Sequence, residues 1–134
     1  MKISEVSLVF AKARFLEACA NWRDYPSKPA IYVLAVSEPF KHIGKITDIV
    51  YIGETKHFGC TPSNNRLWDY HTQATQHERD IVEKIKEIEN TGKFVDIWWS
   101  YDWPKKYTRK EYEKHLLRQY SEEHGRLPIL NKRE

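Results

Sequence analysis

Two apolar segments, 30–36 and 48–54, constrain the fold of this chain most strongly. The first, AIYVLAV, is apolar on both alternating faces, which is typical of a central strand covered on both sides. The second, DIVYIGE, follows a connection that contains Pro39 and Gly44, as a long hairpin would. A third strand is predicted within 94–103, because aromatic and β-branched residues dominate FVDIWWSYDW. The three segments together predict a small, mostly antiparallel sheet.

Apolar residues at helical spacing predict four helices around this sheet. Their predicted ranges are 5–22, 64–74, 78–92 and 108–125. Thr108 and Glu111 fit a capping box at the start of the last helix, and Gly125 fits its end. We therefore expect an α/β (α+β) fold in which a three-stranded sheet is flanked by helices. It would form a single domain over 1–134, with an N-terminal helical extension, 1–28, packed on a core of 29–132.

Composition limits the class of protein. A chain of 134 residues, 40% of them hydrophobic, is enough for one core. It has no apolar run of about 18 residues, and Lys12 and Arg14 interrupt the apolar residues near the amino terminus. Cys19 and Cys60 lie far apart and show no metal-binding spacing, which favours reduced thiols. We expect a soluble, cytoplasmic protein without a membrane span or a secretory signal.

The charges are nearly balanced, with 22 basic and 19 acidic side chains and a formal net charge of +3. Their distribution is uneven, because basic residues interleaved with tyrosines gather in 105–118 and again in 126–133. This mixture suits contact with a phosphate backbone. A solvated, charged helix face explains it equally well.

Glu113 is the most informative single position. At 100° per residue it projects from the middle of the apolar sector that Tyr112, Leu116, Leu117 and Tyr120 form on the last predicted helix. A carboxylate on an inward face must be paired, protonated or bound to a cation, because an unpaired buried charge costs several kcal/mol or more. The sequence leaves two explanations open, a structural ion pair and a metal ligand.

Other motifs give Glu113 a context. They are, in chain order, the triplet Ala30-Ile31-Tyr32, the triplet Tyr51-Ile52-Gly53, Arg66 on the next helix, Glu113 on the last helix, and Asn131 in the terminal PILNK. In this order and on these predicted elements the chain resembles the GIY-YIG nuclease family over 29–132. Its first triplet departs from the family name, with Ala30 in place of glycine.

The resemblance implies a divalent-metal-dependent DNA endonuclease, a phosphodiester hydrolase. Glu113 would hold one Mg²⁺ or Mn²⁺ ion, bound well only with DNA present, since one carboxylate makes a weak metal site. Arg66 would bind the scissile phosphate. Tyr32 would act as the general base and Tyr51 would orient the water or the phosphate. Gly53 and Asn131 would support these residues.

Proton transfer is where the chain departs most from the family. A histidine often found one turn after the arginine is replaced by Tyr70, and His71 follows it. His71 is a candidate proton relay, because histidine titrates near neutral pH. A phenol has an ordinary pKa near 10, so the tyrosine base needs cations nearby. Lys41, Lys45 and Lys56 are the candidate cations. The candidates for proton transfer or phosphate contact are Tyr70, His71, Lys45 and Lys56.

The expected activity is cleavage with low or structure-based specificity, because the chain has no room for a separate recognition domain. Sequence specificity would need the loops 37–47 and 54–65, a homodimer, or a separate specificity partner. The alternative is a catalytically weak or inactive GIY-YIG-like module that binds nucleic acid. A third possibility is a structural module in which Trp98, Trp99 and the amino-terminal helix form a protein-interaction face and the carboxylate is only ion-paired.

Overall fold

The computed structural model describes residues 1–60 and 64–132. Residues 61–63 of the predicted loop and Arg133 of the predicted basic tail lie outside the described residues. The elements, in chain order, are β1 (Ala11–Arg14), α1 (Phe15–Ala20), β2 (Ala30–His42), β3 (Lys45–Thr55), α2 (Arg66–Thr72), α3 (Gln76–Glu89), β4 (Val95–Ser100) and α4 (Arg109–His124), with short 3-10 helices at Ile3–Glu5 and Trp22–Asp24. The described strands form one antiparallel sheet in the order β1-β4-β2-β3.

The β2–β3 hairpin confirms the first two predicted strands and their pairing. Its register joins Tyr32 to Gly53 and Leu34 to Tyr51, so the two triplets lie side by side at the open end of the hairpin. At the other end the turn passes through Ile43 and Gly44, whose φ angles of 51° and 82° are both positive. Two left-handed residues in a two-residue loop match the right-handed twist of the paired strands.

Helices cover both faces of the sheet. On one face Tyr32, Leu34 and Ile97 pack with apolar residues of α1, α2 and α3. On the other face Ile31, Val33 and Ile52 pack with α4, whose contributions are Tyr112, Leu116, Leu117 and Tyr120. The second face also receives Met1, Ile3 and Val6 from the start of the chain. β2 is therefore buried on both sides, as its sequence predicts.

The predicted N-terminal helix over 5–22 is wrong. Residues 11–14 form strand β1, which pairs with β4 so that Lys12 lies opposite Trp98, and only Phe15–Ala20 is α-helical. Val9, placed on the buried face of the predicted helix, is 92% exposed. The cause is tertiary, because the free edge of β4 offers backbone partners that local spacing does not reveal. The sheet therefore has a fourth strand, and 1–28 contributes to the sheet instead of forming a helical extension.

The later helices agree with the sequence. Thr108 and Glu111 form the predicted capping box at the start of α4, and Gly125 ends the helix with a φ of 77°. α2 begins at Arg66 and is capped by Asn65, whose side chain accepts a hydrogen bond from the amide of Trp68 at 2.7 Å. None of the helices in the described ranges combines the length and the apolar character needed to cross a membrane.

Candidate active site at the edge of β3

The two triplets bring Tyr32 and Tyr51 together on one face of the hairpin. Their ring centroids lie 5.9 Å apart with an interplanar angle of 30°. Tyr32 is only 1% exposed, whereas Tyr51 is partly open to solvent. Burial raises the pKa of both phenols, and the nearby Arg66 guanidinium acts in the opposite direction. Of the two phenols, Tyr51 is therefore the more exposed.

Gly53 makes this arrangement of rings possible. A β-carbon at this position would lie 2.6 Å from Cζ and 2.7 Å from Oη of Tyr32, and 2.8 Å from Cε2 of Tyr51. Such distances are shorter than real carbon contacts, so any larger residue would push the two rings away. The glycine of the second triplet is therefore a packing requirement of the tyrosine pair.

Tyr70 joins the same cluster from α2. Its hydroxyl lies 2.8 Å from that of Tyr32, and Tyr70 is also 1% exposed. Burial, followed by the neighbouring phenols, raises the pKa of Tyr70 well above its ordinary value. The sequence leaves Tyr70 and His71 as alternative partners. His71 does not reach the cluster, because one residue further along a helix turns the side chain by about 100°, and it lies exposed beside Trp68.

Arg66 is the first residue of α2 and lies among the three phenols. The phenols and Asp69 raise the pKa of its guanidinium, with Tyr32 contributing most. Its Nη1 lies 4.0 Å from Oδ2 of Asp69. Its Nε is buried and has no hydrogen-bond partner among the described residues. A buried donor without a partner is costly, so this atom is suited to an anionic ligand such as a phosphate.

Glu113 reaches the same edge from the opposite face of the sheet. It is half-buried, and burial together with the like charge of Glu54 raises its pKa to about 7, against the effects of Arg66, Lys114 and the backbone amide of Glu54. Glu54 itself forms an ion pair with Arg109. The charged groups that act on Glu113 are therefore the Glu54 carboxylate, the Arg66 guanidinium and the Lys114 ammonium group. The structural ion pair that the sequence leaves open for Glu113 does not occur among the described residues, where Arg109 pairs with Glu54.

Asn131 fixes the end of the chain against β3. Its Oδ1 accepts a hydrogen bond from the amide of Ile52 at 3.0 Å, and its Nδ2 donates one to the carbonyl of the same residue at 2.9 Å. The amide of Leu130 donates to the carbonyl of Val50 at 2.9 Å. Alternate residues of a strand direct their backbone groups to the same edge, so Glu54 is the next residue facing this edge. The part of the β3 edge that the tail covers therefore ends at Ile52. Glu113 approaches the next backbone amide on this edge, that of Glu54.

The predicted lysines separate into two groups. Lys56 lies directly after β3 and lines a cleft of about 310 Å³ together with Arg66, Asn65 and Asp69. Lys45 and Lys41 lie at the tip of the hairpin, and the charge of Lys45 acts on Glu123. Because Lys45 precedes Gly53 by eight strand residues, it lies about 26 Å away. Lys45 and Lys41 therefore do not join the tyrosines, contrary to expectation, and Lys56 is the lysine near Arg66.

The sequence does not reveal His77. It lies in the first turn of α3, and its Nε2 lies 3.2 Å from the hydroxyl of Tyr51, with ring centroids 5.9 Å apart. His77 is partly exposed, so it connects the tyrosine cluster to solvent. No local spacing could indicate this contact, because the two residues are 26 positions apart. The ion pair of Glu54 with Arg109 is hidden from the sequence for the same reason.

Glu113 is the carboxylate at which the family resemblance places a cation. No cluster of three or more His, Cys, Asp or Glu side chains that could hold a metal occurs among residues 1–60 and 64–132. Glu113 is a single carboxylate next to Arg66, so a Mg²⁺ ion there would take the rest of its oxygen ligands from a phosphate and from water. A cation would also favour the ionised form of Glu113, whose pKa is otherwise raised. A single Mg²⁺ or Mn²⁺ ion at Glu113 therefore stays a prediction of the family resemblance.

Comparisons of the chain with protein-family models, with curated proteins and with solved structures gave no match.

Proposed function

We propose that this protein is a GIY-YIG-type, divalent-metal-dependent endonuclease that hydrolyses DNA phosphodiester bonds. The observation that carries the proposal is the convergence of Tyr51, Arg66 and Glu113 at one sheet edge, from three different elements. Hydrolysis of a phosphodiester needs a nucleophilic water, donors for the phosphate oxygens, and neutralisation at the departing oxygen. The cluster offers one group for each need.

Arg66 would bind the scissile phosphate. Its planar guanidinium remains charged and offers a fixed fork of donors, which suits phosphate oxygens. The buried Nε without a partner supports this role, because a phosphate oxygen would satisfy it. Lys56, exposed in the same cleft, would contact a neighbouring phosphate. These contacts would place the phosphate between α2 and the edge of β3.

Tyr51 and His77 would take the proton from the attacking water. The Tyr51 oxygen would accept this proton while its own hydroxyl proton passes to Nε2 of a neutral His77, 3.2 Å away. This assignment moves the general base from the predicted Tyr32 to Tyr51, because Tyr32 is 1% exposed and its hydroxyl lies 2.8 Å from that of Tyr70. Tyr32 and Tyr70 would hold the Tyr51 ring and Arg66 in position.

Glu113 would hold the divalent ion. When bound, Mg²⁺ or Mn²⁺ supplies Lewis acidity, neutralising charge on the phosphate and stabilising the departing 3′-oxygen. The ion pair with Arg109 keeps Glu54 engaged, so Glu113 is the carboxylate left for this ion. We place this activity in the cytoplasm and infer low or structure-based specificity, with a homodimer or a separate partner as the source of any sequence preference.

The test is nicking of supercoiled plasmid in Mg²⁺ or Mn²⁺, with EDTA added in a parallel reaction. Glu113→Gln and His77→Gln should each reduce the rate on the order of 100-fold, as expected for loss of a metal ligand or a proton acceptor. The matched control is Glu122→Gln, which removes an exposed carboxylate from the same helix and should leave the rate unchanged.

The proposal of an endonuclease would be overturned if wild-type protein binds plasmid, branched and single-stranded DNA but cuts none of them. It would favour the second candidate, a nucleic-acid-binding module of the same fold. The observation that supports a binding module is the burial of Tyr32 and Tyr70, which removes two of the phenols from contact with water.

A further inference from the structure

The β1–β4 half of one sheet face carries aromatic and basic side chains that the proposed activity does not use. α4 packs against β2 and β3 on this face. Because side chains alternate along a strand, Trp98 and Asp96 point to this face while Ile97 and Trp99 point into the opposite core. We call the set Phe10, Lys12, Arg14, Phe94 and Trp98 the β1–β4 strip.

Each ring of the strip contacts a cation or another ring. The guanidinium carbon of Arg14 lies 3.5 Å from the centroid of Phe94, and Nζ of Lys12 lies 4.8 Å from that of Trp98. Phe10 meets Trp98 edge to face at 6.2 Å. Phe94 is 46% exposed, so it is not needed to close the core. The strip is a surface of flat groups with positive charge at their faces.

Basic residues continue from the strip toward the start of α4. Lys105 lies beside Trp103 in a cleft of about 320 Å³ with Leu8 and Val9, and Nζ of Lys106 lies 5.3 Å from the ring of Tyr107. The basic side chains that we place on this surface are Lys12, Arg14, Lys105 and Lys106, and the acidic ones are Asp96 and Asp102. Asp96 is paired with Arg14 at 3.6 Å. The balance of charge favours a negatively charged partner.

We propose that the β1–β4 strip binds single-stranded nucleic acid through base stacking. Bases have flat faces that stack on aromatic rings and on guanidinium planes, and the adjacent lysines suit the phosphates that connect them. Arg14, whose guanidinium carbon lies over the Phe94 ring and whose side chain is 47% exposed, offers a further group on which a base could stack. A duplex, whose bases are stacked on one another, cannot use the rings in this way.

The strip is separate from the candidate active site. β1 and β4 lie three and two strand spacings from β3, so at about 4.8 Å for each spacing the strip lies about 10–14 Å from the edge that carries Glu113. Binding by the strip does not depend on cleavage, and the proposal goes beyond the proposed function. If both hold, the preferred substrate is DNA in which a single-stranded segment adjoins the bond that is cut.

The test is fluorescence anisotropy with a labelled oligo-dT of about 20 nucleotides, longer than the site of one binding domain, and with a duplex of the same length, in EDTA. Wild-type protein should bind the single strand more tightly than the duplex. Phe94→Ser should weaken binding of the single strand about 10-fold, since a stacked base contributes about 1–3 kcal/mol. Because Phe94 is uncharged, the slope of affinity against salt concentration should stay unchanged.

Charge variants complete the design. Lys12→Gln and Arg14→Gln should weaken single-strand binding and lower the salt slope by about 0.7 for each phosphate that is no longer neutralised. Lys84→Gln and Lys86→Gln, which remove exposed charges from α3, are the matched controls and should change neither. Equal affinity of wild type and Phe94→Ser for oligo-dT, or no binding by wild type, would overturn the proposal. A change in oligomeric mass on Phe94→Ser, with binding intact, would show a protein contact instead.

Discussion

At the scale of single residues, the candidate site depends on the missing side chain of Gly53. Three described glycines, Gly44, Gly92 and Gly125, have positive φ angles, and Gly53 is not among them. Its requirement is therefore steric and concerns the rings of Tyr32 and Tyr51. The glycine that ends the second triplet controls where two aromatic rings lie.

Gly53→Ala should therefore damage both stability and activity. Overpacking against the rings of Tyr32 and Tyr51 should cost about 1–3 kcal/mol in the free energy of unfolding. Urea denaturation measures this cost, and plasmid nicking under native conditions measures the activity. Because the Tyr51 ring must move, we expect nicking to fall well beyond what loss of folded protein explains.

Gly92→Ala is the matched control. Its φ of 89° makes alanine strained, at about 1 kcal/mol, but no atom lies within 4 Å of the added carbon. It should lower stability and leave nicking by the folded protein intact. Wild-type nicking by Gly53→Ala would contradict the role given to Gly53.

At the scale of elements, prediction from sequence succeeds where structure is set locally. β2, β3, α3 and α4 carry their own periodicity, turn residues and caps, such as the Thr108 capping box. β1 is not predicted because it depends on pairing with β4, about 85 positions away in sequence, and because 13–19 keeps a helical spacing that α1 partly uses. Contacts between elements, such as Tyr51 with His77, are beyond local patterns for the same reason.

The candidate site likewise has features that the sequence predicts and contacts between elements that it does not. Tyr32, Tyr51, Arg66 and Glu113 come from a resemblance in residue order, and in the fold Arg66 interacts electrostatically with the other three. The sequence cannot assign proton transfer, since it does not show which way Tyr70 and His71 point, nor that His77 approaches from α3. Lys45 is a candidate partner of the tyrosines in the sequence, but the length of the hairpin keeps it about 26 Å from Gly53.

The C-terminal tail, whose Leu130 and Asn131 bond to β3, provides a prediction at the scale of elements. Asn131→Ala removes two hydrogen bonds to the backbone of Ile52, and each is worth about 1 kcal/mol. We expect the free energy of unfolding to fall by about 1–3 kcal/mol and the amide of Ile52 to exchange its hydrogen faster. Amide hydrogen exchange followed by NMR measures the second effect directly.

Lys132→Gln provides the control for the tail. It removes an exposed ion pair with Asp80, whose attraction is largely screened by solvent. Exchange at Ile52 should then remain as in wild type. An Ile52 amide that stays equally protected in Asn131→Ala would mean that the tail is held by Leu130 and the apolar contacts alone.

At the scale of the whole molecule, the site is a source of instability in the free protein. Burial and Glu54 raise the pKa of Glu113 from an ordinary 4.5 to about 7. The ionised carboxylate is therefore less favourable in the folded chain than in the unfolded chain. Its penalty is absent below about pH 4.5, grows as pH rises, and is complete above about pH 7.

Glu113→Gln should consequently raise the melting temperature in a pH-dependent way. Without metal, the variant should match wild type near pH 4.5 and become the more stable of the two as pH rises to about 8. Thermal unfolding in EDTA across this range measures the difference. Glu122→Gln, at an exposed position of the same helix, should show no such trend. A difference in melting temperature that is constant with pH would contradict the raised pKa of Glu113.

The covering of β3 affects how copies of this protein can associate. A bare strand edge is a template on which another chain can add a strand, and exposed edges promote aggregation. Here Leu130 and Asn131 occupy the backbone groups of Val50 and Ile52, and Glu113 reaches the amide of Glu54. The opposite edge, β1, is only 4 residues long. Addition of a strand from a second molecule is thus hindered along β3, and the short β1 edge offers little length for it.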